Sequence, residues 1–136
     1  QSIRVEELKN NTIVALANEE SGFTVKLPVR VKRQLYEYFR CLGQPKKFAP
    51  KIFAAIIVLA VKKFRNNVSE LLIDIEYPGY EVLIIRIIRE SLPNLLVCFG
   101  MIGKKSPAHY AAYGVHIKKR QEDIAATFKE IIKILK

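Results

Sequence analysis

Three short stretches rich in apolar residues at the start of the chain are predicted to be strands. They are Ile3–Leu8, Thr12–Ala17 and Phe23–Leu27, and the third shows the period of two that is typical of strands. The stretches Lys9–Asn11 and Glu19–Gly22 separate them and contain residues that favour turns. The pattern therefore predicts a three-stranded antiparallel meander.

The hydrophobic pattern changes to a helical period after Pro28. Apolar residues recur at spacings of three and four in Val29–Leu42, and Gly43 follows as a typical helix C-cap. A second helix is expected at Pro50–Arg65. Its middle is apolar all round, which predicts a deeply buried helix.

The second half of the chain has a strand, a helix and a strand in succession, at Leu71–Tyr77, Tyr80–Glu90 and Leu95–Ile102. This order predicts a parallel βαβ unit of buried strands. The next segment, Ala108–Ile117, fits either a helix or a partly extended piece. The last segment, Glu122–Leu135, has one apolar stripe and predicts an amphipathic helix.

Positive charge is concentrated in one part of the chain. The net charge is +10, and residues 26–65 carry all of it, with eleven basic residues and one acid, Glu37. A localised basic surface is typical of proteins that bind a polyanion such as DNA or RNA. An anionic membrane surface and an acidic protein are the alternatives. The candidate nucleic-acid-binding residues are Arg30, Arg33, Lys46, Lys47, Lys51, Lys62, Lys63 and Arg65, with Lys104 and Lys105 in a later loop.

Length and composition favour one globular domain over residues 1–136, since half of the residues are hydrophobic. The longest uncharged apolar run, Ile52–Val61, is shorter than the roughly 20 residues that a membrane span needs. The first residues lack the apolar core of a signal peptide. Cys41 and Cys98 lack metal-ligand spacing and are predicted to be buried thiols, which favours an intracellular, cytoplasmic location.

Two carboxylates stand close together in the predicted strand Leu71–Tyr77. Alternation places Asp74 and Glu76 on one face of that strand. Burial of an unpaired carboxylate is costly, so such groups are usually paired, bound to metal or located at a wet strand end. A divalent-metal or general-base site and a charged strand tip in solvent are both consistent with this pattern.

The order of elements resembles the ribonuclease H-like fold. The resemblance implies a mixed five-stranded sheet flanked by helices, in which the antiparallel meander of the first three strands precedes the βαβ unit. The basic helical segment, residues 28–66, would then lie between strands three and four. The first and fourth strands are neighbours at the centre of the sheet in this topology.

Local sequence patterns extend the resemblance. Asp74 occupies the position of the acid that this fold carries in strand four, within a hydrophobic-x-x-Asp-x-x-Tyr pattern. Glu6 and Glu7 stand where the first strand usually has Asp. His109 replaces the acid of an Ala-Asp-x-x-Ala pattern in the last helix. The acid of the first helix maps to Glu37, for which an ion pair with a neighbouring arginine is the more ordinary role.

The resemblance implies a metal-dependent nuclease. Asp74, Glu6 and Glu76 would hold Mg²⁺ or Mn²⁺, and the catalytic set would be Asp74, Glu6, Glu7 and His109. Such ions position water for attack on a phosphodiester. A non-catalytic nucleic-acid-binding module on the same fold is the first alternative, and a basic protein that binds an acidic partner is the second. In either nucleic-acid case, Tyr36 or Phe48 could stack on a base.

Overall fold

The structure is a computed structural model that describes residues 1–18, 21–64, 68–101 and 121–136. These residues form five strands and four helices, with a 3₁₀ turn before the second helix. In chain order the elements are β1 (Thr12–Ala17), β2 (Gly22–Leu27), α1 (Val29–Cys41), the 3₁₀ turn (Pro45–Lys47), α2 (Phe48–Lys63), β3 (Glu70–Asp74), α3 (Glu81–Ser91), β4 (Leu96–Gly100), β5 (Ile124–Ala125) and α4 (Phe128–Leu135).

The strands form two small sheets. In the first sheet the order is β1-β2-β5, with β2 antiparallel to β1 and parallel to β5. In the second sheet β3 pairs with β4 in parallel, which confirms the predicted parallel βαβ unit. The predicted ribonuclease H-like architecture with one mixed five-stranded sheet is therefore wrong, because β1 and β3 belong to different sheets.

The predicted strand at Ile3–Leu8 is also wrong, and with it the three-stranded meander. Backbone groups in this stretch are bonded to side chains of other elements instead of to a neighbouring strand. The Val5 N–H donates to the hydroxyl of Tyr77 at 3.0 Å. The carbonyl oxygens of Arg4 and Glu7 accept from the Lys32 ammonium. Because buried backbone groups need partners of some kind, these side chains replace a sheet ladder.

Helix α2 lies at the centre of the fold, as its apolar middle predicts. Every residue from Ile52 to Ala60 is buried. The helix contacts β1, β2 and the other three helices. Buried side chains from both sheets and all four helices join in a single hydrophobic cluster around it.

Helix α1 ends as predicted at Gly43, whose φ of 71° is a left-handed conformation that glycine adopts readily. The N–H of Gly43 donates to the carbonyl of Arg40 at 3.0 Å, and the N–H of Gln44 donates to that of Phe39 at 2.9 Å. This pair of bonds is a Schellman motif, which satisfies carbonyl groups that the helix end would leave free. The 3₁₀ turn and α2 follow directly after this motif.

The second sheet is less buried than its apolar sequence predicts. Leu71, Ile73 and Val97 point into the core, but Leu72 is 58% exposed and Cys98 is exposed. Alternation therefore operates here, and only one face of β3 and β4 packs on the core. Cys41 and Cys98 are both exposed, so the prediction of buried thiols is wrong.

The end of the chain is helical over a shorter range than predicted. The side chain of Asp123 accepts from the N–H of Thr24 at 2.7 Å, and this contact places Ile124 and Ala125 beside β2. Thr127 then caps α4, since its hydroxyl accepts from the N–H of Glu130. The prediction for Ala108–Ile117 lies outside the described residues.

The buried position of α2 predicts an unequal effect of two truncations. Ile56 is 0% exposed and Val82 on α3 is 72% exposed. We expect Ile56→Ala to lower the free energy of unfolding by roughly 2–5 kcal/mol through lost burial and a cavity. Val82→Ala is the control and should change it by less than about 0.5 kcal/mol. Chemical denaturation measures both, and similar losses in the two variants would contradict a central α2.

Candidate functional site

The carboxylates predicted to bind metal lie on separate parts of the molecule. Asp74 is half-buried at the end of β3, whereas Glu6 and Glu7 are exposed in the N-terminal segment, residues 1–11. The carboxylate of Glu6 accepts from Arg4 Nε at 2.8 Å. The topology that would have made their strands neighbours is absent, since residues 3–8 form no strand and β3 is in the second sheet.

Glu76 does not share a strand face with Asp74, because β3 ends at Asp74. Its carboxylate accepts from the side-chain amide of Gln1 at 3.3 Å. Within the described ranges, no three His, Cys, Asp or Glu residues are grouped so that they could hold a metal ion. His109 lies outside those ranges, so the complete predicted ligand set stays a prediction.

Lys32 is a buried cation, although the charge pattern of residues 26–65 predicts only a basic surface. Its side chain is 0% exposed. The ammonium donates to three carbonyl oxygens of the N-terminal segment, those of Arg4 at 3.2 Å, Glu7 at 2.6 Å and Asn10 at 2.7 Å. An ammonium has three N–H donors, so every one of them has an acceptor.

The position of Lys32 could have been found from the sequence. It lies three residues before Leu35 and seven before Phe39, on the apolar stripe of α1, and both of those side chains are buried. A lysine in such a stripe needs either an acid or several carbonyl groups as partners. Which segment supplies those carbonyl groups could not be read from α1.

Burial shifts the pKa of two side chains that hold the N-terminal segment. Burial lowers the pKa of Lys32 to about 8, against the opposing effect of the charges on Glu7 and Glu6. Burial raises the pKa of the Tyr77 phenol to about 12, although the N–H of Val5 acts in the other direction. Lys32 therefore binds its proton less tightly in the folded protein than in the unfolded chain, and Tyr77 binds its proton more tightly.

Other contacts fix the N-terminal segment along α1. The Arg33 Nε donates to the carbonyl of Leu8 at 3.3 Å. The side-chain oxygen of Asn11 accepts from the N–H of Val29, the first residue of the helix, at 2.9 Å. The segment therefore follows the N-terminal part of α1, with Lys32 beneath it.

The cations at the surface of residues 26–65 fall into two groups. Arg40 is paired with Glu37 at 2.8 Å, which confirms the ion pair expected for Glu37, and Lys26 is paired with Glu122 at 3.4 Å. Lys51 is only half-exposed and donates to Gln44. The remaining cations are exposed, and none forms an ion pair with a carboxylate of the described residues. We call these six the basic surface: Arg30, Arg33, Lys46, Lys47, Lys62 and Lys63.

Three cations predicted to contact nucleic acid, Arg65, Lys104 and Lys105, lie outside the described residues. Lys51, which is also predicted to bind nucleic acid, is half-buried: burial and the neighbouring charge of Lys47 lower its pKa, and its ammonium donates to the side-chain oxygen of Gln44 at 3.1 Å. The basic surface is therefore drawn from α1, from the 3₁₀ turn and from the end of α2.

The aromatic residues of the basic segment pack on one another. Phe48 is 1% exposed, and its ring makes edge contacts with Tyr36 and Phe39 at centroid distances of 5.4 Å and 6.0 Å. Phe48 is therefore not available to stack on a base, contrary to that prediction. Tyr36 is half-buried with its ring engaged by Phe48.

No protein-family model, curated protein or solved structure matches the chain. In the part of the chain that the structure describes, none of the helices combines the length and apolar character needed to cross a membrane.

Replacement of Lys32 tests the packing of the N-terminal segment. In Lys32→Met the carbonyl groups of Glu7 and Asn10 lose this donor, whereas the carbonyl of Arg4 keeps the N–H of Glu7 and the hydroxyl of Thr12. A buried acceptor without a partner costs about 1–3 kcal/mol, so we expect the free energy of unfolding to fall by at least about 2 kcal/mol. The exposed Lys129→Met is the matched control and should have little effect. A loss in Lys32→Met as small as in the control would contradict the structure here.

The two shifted pKa values predict how stability depends on pH. The pKa of Lys32 falls from 10.5 to about 8 on folding, so the unfolded chain binds more protons in this interval and stability rises with pH there. The pKa of Tyr77 rises from 10.0 to about 12, so its contribution is lost as pH increases through that interval.

We therefore expect the free energy of unfolding, measured by urea titration from pH 7 to 11, to reach a maximum near pH 10, at slopes of at most about 1.4 kcal/mol per pH unit. Lys32→Met should remove the rise, and Tyr77→Phe should weaken the fall. An unchanged pH profile in Lys32→Met would show that Lys32 does not cause the rise in stability.

Proposed function

We propose that the protein binds nucleic acid through its phosphate backbone. The observation that carries this proposal is the basic surface, in which six exposed cations have no carboxylate partner among the described residues. Unpaired surface cations gain more from a polyanion than paired ones, because no existing ion pair must be broken and counterions are released from the phosphates. Free Cys41 and Cys98 suit the reducing cytoplasm, where we place this activity.

The spread of the basic surface favours an extended ligand over a compact one. Lys46 and Lys47 precede α2 and Lys62 and Lys63 are its last two residues, so 14 residues of that helix lie between the two pairs. Fourteen helical residues span about 21 Å. A ligand that reaches both pairs must carry negative charge over that length, which corresponds to about six base pairs of duplex.

The packing of the aromatic rings favours contact with phosphates over contact with bases. Proteins that read single strands without hydrogen bonds to bases use exposed rings as stacking platforms. Here Phe48 and Phe39 are buried, and Tyr36 is engaged by Phe48. We therefore expect similar affinities for different sequences of equal length.

Metal-dependent hydrolysis stays a prediction. The ribonuclease H-like fold would bring Glu6 and Glu7 to Asp74, and this chain does not have that fold. Incubation of DNA, RNA and a hybrid with the protein and Mg²⁺ or Mn²⁺ tests it directly. Cleavage that is lost in Asp74→Asn would establish a nuclease activity that depends on this carboxylate. Absence of cleavage of all three substrates would contradict the predicted nuclease activity.

The basic surface predicts a specific change in salt dependence. We expect Lys62→Ala/Lys63→Ala to bind a 20-base-pair duplex more weakly and to reduce the slope of log K against log salt by about 1.8, since each phosphate contact contributes about 0.9. Fluorescence anisotropy at several salt concentrations measures both quantities.

The double variant Lys129→Ala/Lys133→Ala removes the same charge from exposed positions on α4. It should leave the slope within error of the unmodified protein. Equal effects in the two double variants would show that binding follows net charge alone. Absence of duplex binding even at low salt would contradict the proposed function and leave an acidic protein partner as the alternative.

A further inference from the structure

We infer that the N-terminal segment is part of the nucleic-acid-binding surface, where it adds Lys9 to Arg30 and Arg33 as a third phosphate-binding cation. This inference rests on the proposed function and extends it beyond residues 26–65. Lys9 is separated from that segment in the sequence, so the charge pattern alone gives no reason to join them.

Contacts on both sides of Lys9 fix its backbone against α1. The preceding carbonyl, of Leu8, accepts from Arg33 Nε at 3.3 Å. The following carbonyl, of Asn10, accepts from the Lys32 ammonium at 2.7 Å. The side chain of Asn11 then accepts from the N–H of Val29 at 2.9 Å. Lys9 is therefore held between two anchored residues, beside the first turns of the helix.

The three cations are available to a ligand. Lys9, Arg30 and Arg33 are all exposed, and none pairs with a carboxylate in the described part of the chain. Arg4, the other cation of the N-terminal segment, differs because it is paired with Glu6 and lies 4.7 Å from the centre of the Tyr77 ring.

The surrounding charges favour a phosphate at this position. The first turn of α1 contains no acidic residue, so the partial positive charge at the start of the helix adds to that of the three cations. The N-terminal segment also carries two negative charges, those of Glu7 and Glu6, which act on Lys32 beneath it. Glu6 is already paired with Arg4, and the exposed Glu7 limits the site on its own side.

Lys32 is a positioning residue in this arrangement. It is fully buried and cannot contact a ligand, but its ammonium holds the carbonyl groups of Glu7 and Asn10 on either side of Lys9. Loss of Lys32 should release Lys9 from α1 and remove its contribution to binding. Lys32 and Lys9 are therefore expected to act together instead of independently.

The test is the salt dependence of binding to a 20-base-pair duplex by the full chain. We expect Lys9→Ala to reduce the slope of log K against log salt by about 0.9, which is one phosphate contact, while Lys129→Ala leaves it unchanged. In the background of Lys32→Met, Lys9→Ala should have a smaller effect than it has alone. Circular dichroism establishes which variants are folded.

The outcomes separate the inference from the function on which it rests. If the unmodified protein binds the duplex and Lys9→Ala behaves like Lys129→Ala, the N-terminal segment is not part of the surface and the inference is overturned. If the unmodified protein does not bind at low salt, the proposed function itself fails. If Lys32→Met does not fold, the single variant Lys9→Ala decides the question.

Discussion

The fold depends on the burial of α2, a helix that has no polar face in its middle. Nine consecutive residues from Ile52 to Ala60 are buried, so the helix must be covered around its whole circumference. One sheet covers one side of a helix only. The chain instead covers α2 with the first sheet and with helices on its other sides, and the second sheet joins the same core. In the described part of the chain, α2 is therefore covered by the first sheet and three helices.

The N-terminal segment is held by polar contacts and not by strand pairing. Lys32 is the main contact, and burial of its charge is costly, as its lowered pKa indicates. The same ammonium that fixes the segment keeps Lys9 beside Arg33. One interior ammonium therefore connects the buried side of α1 with the segment that carries Lys9.

Local sequence patterns predict where most helices and strands lie. Contacts between residues that are distant in the chain decide how the strands pair and which side chains are buried. The prediction for β1 matches Thr12–Ala17, and the helix predicted at Val29–Leu42 is observed at Val29–Cys41, because period and capping are local properties. The strand β5 has only two residues and is positioned by Asp123 on Thr24, 99 residues away in the chain. The sequence identified the cations, but the half-buried position of Lys51 depends on the tertiary structure. The predicted sheet failed for the same reason, since the sequence pattern at Ile3–Leu8 does not show which group pairs with the backbone.

The most direct test of the central claim is an NMR titration of isotope-labelled protein with a short DNA duplex. Binding through the basic surface predicts amide shift changes in the first turns of α1, in residues 8–11, in the 3₁₀ turn Pro45–Lys47 and at the end of α2. Amides of α4 should be unaffected. Changes concentrated around the end of β3 near Asp74, with none in α1, would contradict this account and would indicate that DNA binds near the carboxylates there.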